Sequence, residues 1–128
     1  MTPKKQLDDN SVSRELATLI ARSAWEKKAK DIVVIEVSEL TQFTDYFVLI
    51  TAEVDQHLKG IADFIIYQVR DQGLRPHHVE GMNGLRWVLI DYIDVIVHIQ
   101  LPDVRDFYDL EALWGDAERL TLDFPKEE

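Results

Sequence analysis

Residues 81–114 read GMNGLRWVLIDYIDVIVHIQLPDVRDFYDLEALW and contain the pattern that decides the fold. A period of two between apolar side chains is typical of β-strands, and here it predicts a hairpin formed by Leu85–Ile90 and Val95–Leu101. The odd-numbered residues 95–101 are all apolar and share one strand face. Pro102 suits the first turn of a helix, so residues 102–114 are predicted to be helical, ending before Gly115.

The rest of the chain supplies further helices and strands in an order that indicates one domain. Apolar residues spaced by three and four predict a helix from Ser11 to about Lys30 and a second helix capped by Asp55 and ending near Gln72. β-Branched runs predict strands at 31–37 and 46–51, and Pro76 marks a short edge strand before 80. We therefore predict an α/β (α+β) fold with a mixed β-sheet of about five strands flanked by helices. The predicted organisation is a flexible N-terminal tail at 1–10, a single domain at 11–117 and a charged C-terminal tail at 118–128.

Composition limits the classes of function. The 128 residues contain no cysteine, which excludes disulfides, thiol nucleophiles and cysteine metal sites. No apolar run reaches the ~18 residues of a membrane span, and the first residues contain no apolar signal core, so we expect a cytoplasmic protein. The net charge of −10 is unsuited to general binding of phosphate backbones, which depends on Lys and Arg. The charge instead favours a basic protein as the partner.

Four carboxylates at predicted strand ends are the candidates for catalysis: Asp45, Glu80, Asp91 and Asp94. Paired acids can hold magnesium for nucleotidyl transfer, but such chemistry also needs a glycine-rich turn or a cationic cluster for the phosphates. The segment after the second strand reads AEVDQH and has neither. We predict no enzyme activity, no catalytic residue and no cofactor. The alternative hypothesis is a divergent nucleotidyltransferase-like enzyme that uses Asp45, Asp91 and Asp94 with magnesium.

The histidines do not form a metal-binding pattern. His77 and His78 are adjacent, so in a strand they point to opposite faces and cannot share a metal ion. His57 lies in the first turn of a predicted helix, where free amide groups can bind an anion. We favour a hydrogen bond from His57 to a neighbouring loop, and we predict no metal site.

Aromatic and acidic residues in 81–114 form the remaining candidate site. Trp87 shares a strand face with Leu89 and Asp91, and a charged residue on that face indicates that the face is partly exposed. The residues predicted to present one side of the last helix are Tyr108, Leu110, Leu113 and Trp114. Two readings are open: these side chains close the core, or they form a contact surface whose acidic rim steers a basic partner.

Several ordered motifs resemble the ribosomal silencing factor family, also called the Iojap family. They are DIVVIEVSELTQFTDYFVLIT, HLKGIADFI, GLRPHHVEG, WVLIDYIDVIVHI and FYDLEALWGDA, which extend over about residues 16–117. The resemblance implies a fold related to nucleotidyltransferases but without catalytic motifs. It also implies a translational repressor that binds the large ribosomal subunit through ribosomal protein fourteen of that subunit and sterically blocks joining of the small subunit. Family members are often homodimers when free. A third hypothesis is an interaction module for another basic protein.

The resemblance also implies site residues. Trp87, Leu89 and Asp91 correspond to the family's docking surface, and Tyr108, Leu110 and Trp114 are carried over from the FYDLEALW motif. The sequence departs from the family in two places: Ala52 and Val54 replace a glycine and a serine after the second strand, and Ile93 replaces a glycine in the hairpin turn. Because isoleucine disfavours positive φ, we expect a different turn type there, with uncertain register near Asp91.

Overall fold

The structure is a computed structural model that describes the backbone of residues 3–124 and the side chains of residues 11–124. Its elements, in chain order, are α1 (Pro3–Glu26), β1 (Lys30–Glu36), β2 (Tyr46–Thr51), α2 (Asp55–Asp71), β3 (His78–Glu80), β4 (Trp87–Asp91), β5 (Val95–Gln100), α3 (Pro102–Tyr108), α4 (Leu110–Leu113) and β6 (Glu118–Arg119). The six strands form one sheet in the order β3-β4-β5-β2-β1-β6. The central pair, β2 and β5, is parallel, and the other neighbours are antiparallel. The predicted mixed sheet flanked by helices is confirmed.

Helices α1 and α2 cover one face of the sheet and enclose the main core. Their inward side chains are apolar at helical spacing, for example Ile20 on α1 and Ile61 and Ile65 on α2, and all three are fully buried. They meet the residues of the strands that alternate inward, such as Val48 and Val97. Burying one such side chain contributes about 1.5–3 kcal/mol, so this layer provides most of the apolar driving force for folding.

The opposite face of the sheet has a smaller core. Ile35, Val37 and Leu49 are buried there, and Leu110 and Trp114 from the α4 region pack against them. The short helices cover only part of this face, and they leave the side chains of β3 and β4 at one edge partly exposed. This incompletely covered area is where the candidate site lies.

The ends of the chain differ from the sequence prediction. Helix α1 begins at Pro3, so residues 3–10 of the predicted flexible tail are helical; their side chains and residues 1–2 lie outside the described part. At the other end, β6 pairs with β1 and makes a sixth strand, and Phe124 stacks on Trp25 with ring centroids 5.6 Å apart. Residues 118–119 of the predicted charged C-terminal tail are therefore part of the sheet. Residues 125–128 lie outside the described part.

Helix α2 also begins differently from the prediction. Val54 occupies the N-cap position without a side-chain hydrogen bond, and Asp55 is the first helical residue. The His57 ring bonds to the neighbouring loops: Nδ1 accepts from the Glu53 amide at 3.0 Å, and Nε2 lies 2.7 Å from the Lys27 carbonyl oxygen. The predicted local bonding of His57 is confirmed. None of the helices within residues 3–124 is long and apolar enough to cross a membrane.

Candidate functional site

Strand β4 presents the predicted docking residues on one face. Val88 and Ile90 point into the main core and are fully buried, whereas Trp87, Leu89 and Asp91 point to the opposite face and are partly exposed. This is the alternation predicted from the sequence. Because α1 and α2 lie on the Val88 side, the Trp87 side of β4 is left for α3 or for a partner.

The Trp87 indole is held by two neighbours. Its Nε1–H donates to His98 Nδ1 on the adjacent strand β5 at 3.0 Å. The Tyr108 ring from α3 lies 4.7 Å away, centroid to centroid, within the range of favourable aromatic pairs. An indole nitrogen is only a donor, so His98 Nδ1 is the acceptor and the ring proton of neutral His98 is on Nε2. These two contacts fix the orientation of the Trp87 ring.

His98 is kept neutral by its environment. Burial, the larger cause, and the positive charge of Arg105 together lower the pKa of His98 to about 4. At pH 7 the imidazole therefore retains the free Nδ1 lone pair that Trp87 needs. The rings of His98 and Phe47 are also packed edge to face, with their centroids 5.4 Å apart. The histidine therefore connects Trp87 to the smaller core on the opposite face of the sheet.

Arg105 links the short helices α3 and α4 to the sheet through hydrogen bonds. Its guanidinium is buried, donates to Thr51 Oγ1 at 2.8 Å, and donates through Nε and Nη2 to Glu111 Oε1 at 3.2 and 3.1 Å. Glu111 also lies 3.4 Å from Arg119 on β6. A buried arginine with both a hydroxyl and a carboxylate partner is fully engaged in positioning, because an unpaired buried charge is strongly destabilising. Because Arg105 lies on α3, these bonds anchor the helix that carries Tyr108.

The residues predicted on the last helix separate into two groups. The segment 102–114 is two short helices, because Asp109 adopts a left-handed conformation with φ +46° between α3 and α4. Tyr108, before the break, lies against Trp87 and is 52% exposed. Leu110 and Trp114, after the break, pack against the second core, and Trp114 meets Phe47 edge-on at 5.2 Å.

The structure therefore brings four of the six predicted site residues to an accessible region and places Leu110 and Trp114 in packing beside it. The predicted single helical side is wrong, since Leu113 points outward and is 73% exposed. One further residue extends the region: Phe107 is 80% exposed and its ring lies 5.0 Å from Tyr108. We use the name aromatic surface for Trp87, Leu89, Phe107 and Tyr108.

The hairpin turn after β4 corrects another expectation. Ile93 has φ +74°, although a β-branched residue disfavours positive φ. Asp94 N–H donates to the Tyr92 carbonyl at 2.9 Å, which closes a three-residue γ-turn around Ile93, and Asp91 Oδ1 accepts from the Ile93 amide at 2.7 Å. The register at this end of the hairpin is regular, with Asp91 opposite Ile96. The expectation of a turn without positive φ at Ile93 is wrong.

The candidate catalytic carboxylates have local partners. Asp45 Oδ2 accepts from the Ser13 hydroxyl at 3.0 Å, Asp91 binds the turn amide of Ile93, and Glu80 lies 2.7 Å from His78. Within the described residues, no three His, Asp or Glu side chains are grouped so that they could hold a metal ion. Among the described residues, the aromatic surface and its acidic neighbours are therefore the candidate site.

Comparisons with a family model and with known proteins identify the same family. The family model described as "Ribosomal silencing factor during starvation" matches residues 10–128. The chain belongs to the ribosomal silencing factor family. A relative in Bacillus subtilis, named ribosomal silencing factor RsfS, is 34% identical over 111 residues, which cover 87% of this chain and 94% of the relative.

Two further proteins extend the comparison. A mouse relative named "Mitochondrial assembly of ribosomal large subunit protein 1" is 30% identical over 92 residues, 70% of this chain and 40% of that protein. A solved structure of a Chromobacterium violaceum protein superimposes with a TM-score of 0.78 at 31% identity, covering 88% of this chain and 92% of that chain. The family resemblance predicted from the sequence is confirmed.

Proposed function

We propose that this silencing factor represses translation by binding the large ribosomal subunit through ribosomal protein fourteen of that subunit and sterically blocking the small subunit. Family membership supports a role at the ribosome, and the name of the mouse relative supports the large subunit. Repression of this kind requires no catalysis. The protein would act in the compartment that contains the ribosomes, which in a bacterium is the cytoplasm. The homodimer expected from the family stays a prediction, to be measured by analytical ultracentrifugation.

The observation that carries the proposal is the aromatic surface. Large aromatic side chains are favoured interface anchors because they bury much area at little conformational cost. Trp87 is already oriented by His98 and Tyr108, so binding need not order it. A shallow pocket of about 390 Å³ beside it, lined by residues that include Val104 and Phe107, offers a place for a partner side chain.

The charges around the aromatic surface favour a basic protein. Asp91 lies at the end of the same strand face, and Asp103, Asp106 and Asp109 are exposed on the adjoining helices. Asp103 is paired with exposed Arg86 at 2.9 Å, which lowers the pKa of Asp103, so the negative charge of the rim comes chiefly from Asp91, Asp106 and Asp109. Such a rim attracts cationic side chains and repels phosphates, so binding is directed to a ribosomal protein and away from rRNA.

The mechanism follows from where the protein is held. Once a folded body of this size is docked on the face of the large subunit that meets the small subunit, the two subunits cannot occupy that space together. Repression by exclusion depends only on affinity and placement. It needs no conformational change in the ribosome.

The test measures subunit binding and joining with purified components. Trp87→Ala and Leu89→Ser should each weaken binding to isolated large subunits, the former by roughly thirtyfold, the loss expected for an interface anchor worth about 2 kcal/mol. Both should relieve the block on joining in sedimentation profiles. The matched control is Tyr67→Ala, because Tyr67 is an aromatic residue, 61% exposed, on α2 across the sheet. Normal subunit joining at saturating wild-type protein would refute the proposal.

A further inference from the structure

A second group of exposed apolar side chains lies at one end of the sheet. Strands β2 and β5 run parallel, with Tyr46 opposite Val95, so the segments that precede them meet at the same end. The two segments are joined by hydrogen bonds from the Asp45 and Tyr46 amides to the Asp94 carbonyl, at 2.9 and 3.2 Å. We use the name apolar tip for Leu40, Phe43 and Ile93, which these segments carry.

The apolar tip is well exposed. Phe43 is 87% exposed, the highest value among the large hydrophobic side chains described, and Ile93 and Leu40 are 55% and 48% exposed. Single exposed apolar residues are common on proteins, but here three lie on two loops that hydrogen bonds hold side by side. None of the three belongs to either buried core.

Ile93 also occupies a conformation that its side chain disfavours. Glycine adopts a φ of +74° without strain, whereas isoleucine is strained there. The turn is nevertheless firmly held by Asp91 and by the bond between Asp94 and Tyr92. The side chain of Ile93 is thus costly for the turn and contributes to neither core, which is the pattern expected of a residue that binds a partner.

Charge indicates what covers the tip. Residues 36–45 and 91–94 contain five acids, Glu36, Glu39, Asp45, Asp91 and Asp94, and no lysine or arginine. A second copy of this chain would bring the same negative charge to the contact, and nucleic acid would bring phosphates. A protein segment rich in lysine or arginine, with an apolar side chain to meet Phe43 and Ile93, is complementary in both respects.

We propose that the apolar tip is a second contact for a basic protein segment of the large ribosomal subunit, separate from the contact made by the aromatic surface. This inference rests on the proposed function. Asp91 connects the two areas, since the outward row Trp87, Leu89, Asp91 leads along β4 directly into the turn that carries Ile93. Together the two surfaces would fix the orientation of the docked protein as well as its position.

The experiment uses Phe43→Ser and Ile93→Gly, with Val54→Ser as the matched control. Val54 is 58% exposed and follows the opposite end of β2. Binding of each full-length variant to purified large subunits is titrated, and thermal unfolding is recorded in parallel. We expect each tip variant to bind about tenfold more weakly, while Ile93→Gly unfolds at the wild-type temperature or above because the strain is removed. The control should bind as the wild type does.

The outcomes separate the two proposals. If the wild type binds, Trp87→Ala loses binding, and both tip variants bind like the wild type, the tip assignment is wrong and the proposed function stands. If the wild type does not bind large subunits, both proposals fall. If the tip variants change only self-association in sedimentation velocity, the occupant is a second copy and the basic-segment assignment is overturned.

Discussion

Acidification should destabilise the folded protein through His98. The pKa of His98 is about 4 in the folded state and 6.5 in a model peptide, a difference of about 2.5 units. Between these two pH values the unfolded chain binds a proton that the folded chain does not, so the free energy of unfolding falls as the pH is lowered. Each unit is worth about 1.4 kcal/mol, and acidification from pH 7 to pH 4 should therefore remove about 3 kcal/mol through this group.

The physical reason is local. A proton on buried His98 would place a second positive charge near Arg105 and would occupy the Nδ1 position that accepts the Trp87 N–H. Both effects oppose protonation in the folded state. The loss of stability is therefore accompanied by loss of the bond that orients Trp87.

The assay is urea denaturation between pH 7 and pH 4, with His98→Asn as the comparison. Asparagine keeps a hydrogen-bond acceptor and does not titrate, and the carboxylates of the chain contribute equally to both proteins. Wild-type stability should fall by about 3 kcal/mol more than that of the variant over this range. Parallel stability curves for the two proteins would show that His98 does not titrate differently on folding.

Three further substitutions test the supports of the site by thermal or urea unfolding. Arg105→Ala leaves Glu111 without its buried partner and should cost about 3 kcal/mol, near 10 °C in Tm; an unchanged Tm would contradict this role. Gly81→Ala should also cost about 3 kcal/mol, because Gly81 has φ +92° and an added Cβ would lie 2.0 Å from the Trp87 carbonyl oxygen; wild-type stability would refute the overlap. Val54→Ser should add about 1 kcal/mol by capping α2, and no gain would argue against a missing cap.

Local patterns were sufficient for the central strands. Strand β2 has the predicted bounds, and the ends of β1 and β5 lie within one residue of the prediction. The alternation on β4 correctly assigned Trp87 and Val88 to opposite faces of the sheet. These segments succeed because burial on a strand repeats every two residues and is written directly in the sequence. The same rule identified the face of the candidate site.

Features that depend on distant contacts were missed. Strand β6 consists of two charged residues that adopt a strand conformation because they pair with β1. The sequence there has no alternating apolar pattern from which a strand could be predicted. The break at Asp109 lies within a helical pattern, and the bonds of Arg105 to Thr51 and Glu111 become visible only when β2 and α4 are side by side. The backbone conformation of Ile93 was predicted wrongly because the prediction used the preference of isoleucine alone. The hydrogen bonds of the turn stabilise a positive φ despite that preference.

The order of strands in the sheet has a consequence for aggregation. The two edge strands, β3 and β6, are only three and two residues long, and they include His78, Glu80, Glu118 and Arg119. Short, charged edges give another chain little backbone on which to extend the sheet, which is a common protection against fibril-like growth. The long apolar strands β2 and β5 are in the middle and have a long partner on each side, whereas β6 pairs with only Ile35 and Glu36 of β1. Copies of the protein should therefore stay unaggregated at high concentration, and any dimer should form through side-chain surfaces without continuing the sheet.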